Sequence, residues 1–275
     1  MRCDEGNRRK DEPGTHLAEQ HRDAGRADQC NNGRRQAREW ISDDPQHTTT
    51  VQNMRTLIIG NGGDADPGLV GQRLSEHGSD FARAVREYPR EWPSLGGIDV
   101  VLTLGSDWSV YWDSNADEVQ AEVDLIRTAR SRGVPVFAIC FGAQVAAHAL
   151  GAVVERAVRH EIGWFDVGHL AHHDVLAGPW LQWHYDRFSA PSDMATLAIN
   201  DVGVQAMYGG RTFATQFHPE VTPAIVQRWA EAGARELEKV GIDAKHLCEI
   251  TVSQVVERGD ATARLVDWFL EKASS

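Results

Sequence analysis

The chain has 275 residues and a net charge of −12, which allows one large domain or two small ones and argues against general nucleic-acid binding. No uninterrupted apolar run reaches the roughly 20 residues of a membrane span, and no apolar segment follows the arginine pair near the start, so neither a membrane protein nor a secretory signal is predicted. The cysteines are too widely spaced to support a disulfide framework or a zinc knuckle. We therefore expect a reduced, cytoplasmic protein. The four cysteines are Cys3, Cys30, Cys140 and Cys248.

Residues 1–53 differ in composition from the rest of the chain. They contain nine Lys or Arg and ten Asp or Glu residues, with few aliphatic side chains. Such a segment buries too little apolar area to offset its ordering entropy, so we predict a disordered or poorly packed extension. One hypothesis is that translation naturally begins at Met54, and N-terminal sequencing of the native protein would test it. Residues 54–275 are predicted to be one catalytic domain.

Strands and helices alternate from Met54 onward. The apolar runs 57–60, 81–88, 98–104 and 134–139 predict buried strands. Helices are predicted over 68–77, over 117–132, where Gly133 suits the helix end, and over 144–150. This alternation predicts an α/β fold with a mainly parallel sheet flanked by helices in three layers. Ligands of such folds bind beyond the carboxyl ends of the strands.

The pattern changes after Gly151. Six short apolar runs separated by turn signals predict an antiparallel extension against the α/β core. Three amphipathic helices are predicted to follow, over 223–237, 244–257 and 261–272. The predicted strands cover residues 152–155, 162–167, 181–184, 196–200, 203–208 and 212–217.

The central strand ends abruptly at Cys140, before a helix-like run. A residue at a sharp strand-to-helix turn is exposed at the carboxyl end of a sheet. There the amino end of the helix favours a thiolate, because the helix dipole and unpaired backbone N–H groups meet its negative charge. Cys140 is therefore a candidate nucleophile, and the alternative is a buried core cysteine. The stretch reads Val134-Pro-Val-Phe-Ala-Ile-Cys-Phe-Gly-Ala-Gln144.

A thiol nucleophile needs a base, and His218 is the candidate. Pro219 biases His218 toward an extended backbone, in which residues two apart lie on the same face. His218 and Glu220 then point the same way, so the carboxylate can bind one ring nitrogen and leave the other for the thiol. The alternative is a half-buried structural His218 beside a Glu220 that serves a helix amino end.

These stretches together resemble the class I, or triad, glutamine amidotransferases, in particular stand-alone members similar to the glutaminase domain of GMP synthase. In that family the nucleophile turn reads roughly G-x-C-x-G-x-Q, and the acid–base element reads H-P-E. The resemblance covers about residues 55–273. Its motifs here are Ala138-Ile-Cys140-Phe-Gly142-Ala-Gln144 and His218-Pro-Glu220, supported by Leu102-Thr-Leu-Gly105-Ser106, Glu161-Ile-Gly-Trp164 and Trp183-His-Tyr-Asp186.

The resemblance implies a flavodoxin-like fold and a catalytic triad that acts on the side-chain amide of glutamine. Cys140 would attack the amide and form a γ-glutamyl thioester, His218 would protonate the departing ammonia, and Glu220 would fix the tautomer of the imidazole. The backbone N–H groups of Gly105 and Phe141 would hold the oxyanion. The implied substrate contacts are Gln144, His184 and Asp186.

Three residues depart from the family pattern. Ala138 replaces the first glycine of the nucleophile turn, and we expect little effect from so small a change. Ser106 and Asp107 replace a common Gly-Pro after the oxyanion glycine, which affects how that loop reaches its active form. Tyr185 replaces the glycine of a W-H-G-D motif, which puts the direction of Asp186 in question.

Three functional hypotheses follow. The first is an amidotransferase that hydrolyses glutamine and passes ammonia to a synthetase on another chain, since no ATP-binding motif is evident in this one. The second is a free-standing hydrolase of γ-glutamyl amides or peptides, and the third is a catalytically quiet regulatory subunit. No cofactor is expected. A cluster of His169, His172 and His173 has the wrong surroundings for a metal site, and we predict none.

Overall fold

A computed structural model describes residues 53–170 and 173–275. Nine strands and seven α-helices lie within those ranges. The strands are β1 (Arg55–Gly60), β2 (Asp80–Val85), β3 (Val100–Thr103), β4 (Val136–Ile139), β5 (Val154–Asp166), β6 (Pro179–Phe188), β7 (Ala195–Ile199), β8 (Val204–Gly209) and β9 (Thr212–Thr215). The helices are α1 (Gly68–Glu76), α2 (Ala116–Ser131), α3 (Phe141–Ala149), α4 (Pro223–Ala232), α5 (Ala234–Lys239), α6 (Ala244–Arg258) and α7 (Ala261–Ser274).

Seven of the strands form one sheet in the order β2-β1-β3-β4-β9-β8-β7. The first five are mutually parallel, whereas β8 and β7 continue the sheet in antiparallel pairing. Strands β5 and β6 form a separate antiparallel pair. The predicted mainly parallel sheet is confirmed. The antiparallel part has two locations, one at the edge of the main sheet and one in the β5–β6 pair.

The main sheet is buried on both faces, which explains the continuous apolar runs of its central strands. Successive side chains of β1 point to opposite faces. Leu57 and Ile59 belong to a core cluster with residues of α2 and α3, whereas Ile58 lies in a second cluster with residues of α1 and α7. The result is the predicted three-layer arrangement of helices on either side of the sheet.

Several predicted boundaries differ from the structure. Helix α3 begins at Phe141 instead of residue 144, because the turn at Cys140 leads straight into the first helical residue. The two strands predicted over 152–155 and 162–167 are the single long strand β5, whose pairing with β6 shifts register between Arg156 and Glu161. The helix predicted over 223–237 is interrupted at Gly233, which separates α4 from α5.

The predicted extension 1–53 lies outside the described residues apart from Asn53, and the assignment of 54–275 to one catalytic domain stays a prediction. Within the described ranges, no helix is both long and apolar enough to cross a bilayer. The same ranges contain no group of three or more metal-ligating side chains. Of the histidine cluster considered above, His172 is outside the described residues.

Candidate active site

Cys140 occupies the sharp turn between β4 and α3. Its backbone has φ 51° and ψ −106°, which is one of two positive φ values among the described non-glycine residues. Such a conformation costs of order 1–3 kcal/mol and persists where the surrounding structure enforces it, often at functional sites. The Cys140 N–H donates to the Thr215 carbonyl of β9 at 2.7 Å, which ties the turn to the neighbouring strand. Cys140 lies at the amino end of α3, as the sequence predicted, but it is buried and not exposed as expected for such a turn.

Gly142 lets this turn lie against the end of β3. A β-carbon at Gly142 would come within 2.6 Å of the Thr103 carbonyl oxygen and 2.7 Å of its hydroxyl oxygen. The Gly142 N–H also donates to the Leu104 carbonyl at 3.2 Å. Because only a glycine allows this approach, the second glycine of the motif has a direct steric cause.

His218 and Glu220 form a buried pair after β9. The distance from His218 Nδ1 to Glu220 Oε1 is 2.8 Å, as expected for two side chains on one face of an extended segment. The His218 N–H donates to the Leu181 carbonyl of β6 at 2.8 Å, and its ring meets the Trp229 ring edge-on at 4.9 Å between centroids. The other ring nitrogen, Nε2, is buried and makes no hydrogen bond with the described residues.

The charges around His218 favour an imidazolium. Burial by itself would lower the pKa of His218, but the charges of Glu220 and Cys140 outweigh burial and hold that pKa well above its usual range. An imidazolium beside a thiol stabilises the thiolate, which is the nucleophilic form of cysteine. The arrangement can therefore hold a charged thiolate–imidazolium pair in a site closed to bulk water.

Gly105 brings the end of β3 against the same two residues. A β-carbon at Gly105 would lie 3.0 Å from His218 Cε1 and 3.6 Å from Cys140 Cβ. Within the described residues, the backbone N–H groups of Gly105 and Phe141 donate no hydrogen bond. Two free N–H groups next to a thiol have the chemistry of an oxyanion site.

Gln216 contacts the thiol, although the sequence pattern alone did not mark it as a site residue. Its Nε2 lies 3.6 Å from Cys140 Sγ, and its Oε1 accepts from Gln144 Nε2 at 3.4 Å. Gln144 was predicted to face the substrate; its amide is bonded to Gln216, and its contact with substrate stays a prediction. The signal for Gln216 was available: it precedes His218 by two positions, so both side chains leave the extended chain on the same face.

Asp186 was predicted to bind the amino end of the substrate, and its carboxylate already has protein partners. Ser109 Oγ donates to Asp186 Oδ2 at 2.5 Å, and Tyr111 Oη donates to Oδ1 at 2.8 Å. A guanidinium nitrogen of Arg156 lies 3.7 Å from Oδ1. Asp186 therefore connects β6 to the loop that follows Gly105.

Tyr185, at the position where the family motif has glycine, supports Arg156. The Arg156 guanidinium carbon lies 4.6 Å from the Tyr185 ring centroid, within the range of a cation–π contact. Burial raises the pKa of Tyr185 to about 12, so the ring stays neutral. The departure from glycine thus affects Asp186 through its arginine neighbour.

His184 lies in a buried polar cluster. Its Nε2 lies 3.1 Å from Glu161 Oε2, and its Nδ1 lies 2.9 Å from the carbonyl oxygen of Asp186. Glu161 also accepts from Asn200 and Gln205 at 2.9 and 3.1 Å. Both ring nitrogens of His184 face protein oxygens, so its predicted contact with substrate stays a prediction.

Comparison with known proteins gives a consistent family likeness. A family model described as "Glutamine amidotransferase class-I" matches residues 113–228. A GMP synthase [glutamine-hydrolyzing] of Methylobacillus flagellatus is 31% identical over 179 residues, which cover 56% of this chain and 31% of that protein. The chain therefore spans about a third of the length of the curated relatives it matches first.

Solved structures show the same likeness in three dimensions. A glutamine amidotransferase of Thermotoga maritima superposes with a TM-score of 0.70 at 26% identity, over 80% of this chain and 98% of the other. A putative GMP synthase subunit from Thermoplasma acidophilum superposes with a TM-score of 0.51 at 25% identity, over 68% of this chain and 98% of the other.

Proposed function

We propose that this chain, which is similar to the class I glutamine amidotransferases, hydrolyses the side-chain amide of glutamine through a triad of Cys140, His218 and Glu220. One observation carries the proposal. A buried thiol on a strained turn, a histidine bonded to a carboxylate at 2.8 Å, and two free backbone N–H groups converge at the carboxyl end of the parallel sheet.

The first half of the reaction forms a thioester. The Cys140 thiolate attacks the carboxamide carbon, and the carbonyl oxygen becomes an oxyanion that the N–H groups of Gly105 and Phe141 stabilise. His218 donates its Nε2 proton to the amide nitrogen, the carbon–nitrogen bond breaks, and ammonia leaves. Glu220 holds Nδ1 and so keeps Nε2 directed at the reacting atoms.

The second half releases glutamate. His218, now neutral, takes a proton from water, and the resulting hydroxide attacks the thioester carbonyl. The carbon–sulfur bond breaks, and the Cys140 thiolate and the imidazolium are restored. Gln216, 3.6 Å from the sulfur, and Gln144 next to it would contact the substrate on the thiol side.

We further propose that the ammonia goes to a synthetase on another chain. The curated relatives are GMP synthases about three times longer than the matched segment, and one structural neighbour is described as a putative subunit of a GMP synthase. In such an arrangement the acceptor chemistry belongs to the partner. A cytoplasmic location stays a prediction from the cysteine spacing.

A second candidate function is the free-standing hydrolysis of γ-glutamyl amides or peptides. The observation that favours it is the surroundings of Asp186, where Tyr185 replaces the family glycine and the carboxylate already accepts from Ser109 and Tyr111 and lies near Arg156. These contacts change the substrate side of the site relative to the family pattern, which favours a γ-glutamyl compound other than free glutamine. Such compounds carry the same α-ammonium group as glutamine and differ from it in the amine attached to the γ-carbonyl.

The decisive variant for the proposed mechanism is Cys140→Ala, with Cys248→Ala as the matched control because both thiols are free. We expect Cys140→Ala to lower glutamate release by roughly 10³-fold or more, since the covalent route is lost, and Cys248→Ala to retain wild-type turnover. Full turnover in Cys140→Ala would exclude the nucleophile assignment. Mass spectrometry of the acid-quenched enzyme should detect the γ-glutamyl adduct on the Cys140 peptide only.

The two acceptor hypotheses are separated by comparing substrates with and without a partner. Slow glutamine turnover that rises when a co-purifying synthetase is added supports ammonia delivery. Rapid hydrolysis of γ-glutamyl amides by the isolated chain supports the free-standing hydrolase.

A further inference from the structure

Arg86 is a completely buried cation that the triad mechanism does not use. It follows β2, and its side chain and that of Glu122 on α2 are both 0% exposed. The two are joined by an Arg86 Nε to Glu122 Oε2 contact of 2.8 Å. Burying an ion pair is expensive unless hydrogen bonds satisfy its remaining groups. The groups that hydrogen-bond to Arg86 and Glu122 therefore indicate the role of this ion pair.

Those partners are the backbone at the end of β3. Arg86 Nη2 donates to the Leu104 carbonyl at 2.9 Å, and Nη1 donates to the Gly105 carbonyl at 3.1 Å. Nη1 also donates to Asn61 Oδ1 at 2.6 Å. One guanidinium thus holds two consecutive carbonyl oxygens of the loop that carries the predicted oxyanion donor.

The planarity of the peptide bond links these contacts to that donor. The described peptide bonds are all trans, so the N–H of Gly105 points opposite to the carbonyl of Leu104. That carbonyl is directed at Arg86 and at the N–H of Gly142, 3.2 Å away. The Gly105 N–H must then point away from Arg86 and from Gly142, and a β-carbon at Gly105 would lie 3.0 Å from His218 Cε1 and 3.6 Å from Cys140 Cβ.

The same guanidinium also touches the second predicted donor residue. The Arg86 guanidinium carbon lies 4.8 Å from the ring centroid of Phe141, in cation–π contact. Thr103 Oγ1 donates to Glu122 Oε1, which adds a further bond between β3 and the acid. Arg86 is therefore bonded or packed to both residues whose N–H groups form the predicted oxyanion site.

We propose that Arg86, fixed by Glu122, is a positioning residue that sets the Leu104–Gly105 peptide in the orientation in which the Gly105 N–H binds the oxyanion. This inference rests on the proposed glutamine hydrolysis. The role requires a guanidinium group, whose N–H donors lie in one plane and point in different directions, because Arg86 bonds to Glu122, Leu104 and Gly105 at the same time. A lysine at this position keeps the charge but cannot make all three bonds.

The test compares Arg86→Lys and Glu122→Gln with a matched arginine at the opposite end of the sheet. Arg130 donates to the Gly209 carbonyl at 2.7 Å and to Thr212 Oγ1 at 3.0 Å, so Arg130→Lys removes a similar set of bonds far from the thiol. We expect the kcat of glutamine hydrolysis to fall roughly 10- to 100-fold in Arg86→Lys and Glu122→Gln, with KM changed less than about threefold, since losing one oxyanion donor costs about 10²–10³ in kcat. Arg130→Lys should keep the wild-type kcat.

Two further measurements separate positioning from structural damage. The γ-aldehyde of glutamate forms an oxyanion-like adduct with the thiol, so its affinity should fall by about the same factor as kcat. Alkylation of Cys140 by iodoacetamide needs no oxyanion site, and its rate should stay within about twofold of wild type. If Arg86→Lys fails to fold, Glu122→Gln, which retains the arginine, provides the comparison.

Each outcome has one meaning. Suppose that the wild type hydrolyses glutamine and that Arg86→Lys and Glu122→Gln both keep its kcat and its affinity for the aldehyde. This result overturns the positioning role and leaves the proposed function intact. If the rate of Cys140 alkylation falls in the two variants together with glutamine turnover, the positioning role is overturned in favour of a general structural role. Wild type that releases no glutamate and forms no thioester overturns the proposed function, and the positioning role with it.

Discussion

The bond between Glu220 and His218 yields the sharpest prediction for the triad. Replacing Glu220 by Gln keeps the size and removes the negative charge that lies 2.8 Å from His218 Nδ1. Both side chains are almost completely buried, at 4% and 3% exposure, so solvent screens the pair weakly. The variant isolates the electrostatic contribution of the carboxylate.

The size of the effect follows from the geometry. Two unit charges about 4 Å apart interact by roughly 4 kcal/mol at an effective dielectric constant of about 20. At 1.36 kcal/mol per factor of ten, that interaction corresponds to a loss of about 10³-fold in kcat/KM. The amide that Glu220→Gln introduces can also donate to Nδ1, which places the ring proton on Nε2 and removes the nitrogen that must accept a proton.

The pH dependence has a definite sign. With Glu220 present the pKa of folded His218 is raised well above its usual range, so the imidazolium stabilises the fold most below about pH 6.5, the pKa of an unperturbed histidine. That stabilisation is lost as the pH rises through the raised pKa. The difference in unfolding free energy between wild type and Glu220→Gln should therefore be largest near pH 6 and shrink at higher pH.

Two assays and one control complete this prediction. Glutamate release measures kcat/KM, and an NMR titration of the His218 imidazole should show a lower pKa in Glu220→Gln than in wild type, because the charge of Glu220 raises that pKa against the effect of burial. Glu231→Gln, an exposed acid on α4, should match wild type in both assays. Wild-type turnover together with a wild-type titration of His218 in Glu220→Gln would refute the assigned role of the carboxylate.

Two further predictions concern stability. Gly142→Ala places a β-carbon 2.6 Å from the Thr103 carbonyl oxygen and should lower the free energy of unfolding by about 1–3 kcal/mol in urea titrations. The control is Gly63→Ala, whose β-carbon would have no atom within 4 Å. It should change the free energy of unfolding by less than about 0.5 kcal/mol. Equal losses in the two variants would contradict the steric account. A hydrogen bond from Arg73 lowers the pKa of Asp267 to about 2, so Asp267 stabilises the fold above about pH 3.9 and loses this contribution as the pH falls toward 2. Because this carboxylate is 41% exposed, we expect Asp267→Asn to cost only about 0.5–1 kcal/mol at pH 7, and a loss that persists unchanged at pH 2–3 would argue against the ion pair.

The sequence was sufficient for the fold class because the signals of a parallel sheet are local. Central strands such as β4 are buried on both faces and read as uninterrupted apolar runs, and the helices between them show helical spacing. It failed where boundaries depend on distant partners. The length of β5 is set by its pairing with β6. The break between α4 and α5 lies at Gly233, a residue type that often ends a helix, and the predicted helix over 223–237 ran past it.

In the candidate site too, the sequence predicted local features and missed contacts between distant segments. The strand-to-helix turn at Cys140 and the shared face of His218 and Glu220 depend on neighbours within a few positions, so the sequence pattern predicted both. The sequence pattern did not predict the bond from Ser109 to Asp186, which joins residues 77 positions apart, because neither segment contains a local signal for its contact with the other.

The sequence by itself therefore determined that this chain has a thiol at a sharp turn and a histidine–acid pair, since each depends on short-range backbone geometry. Only the tertiary structure decided what surrounds them. No sequence pattern singled out Arg86, which is a buried cation held by Glu122, 36 positions away, against the carbonyls of Leu104 and Gly105. The physical reason is that desolvation and hydrogen bonding act between whichever groups the packed layers bring together, and that information is not carried by any single stretch of the chain.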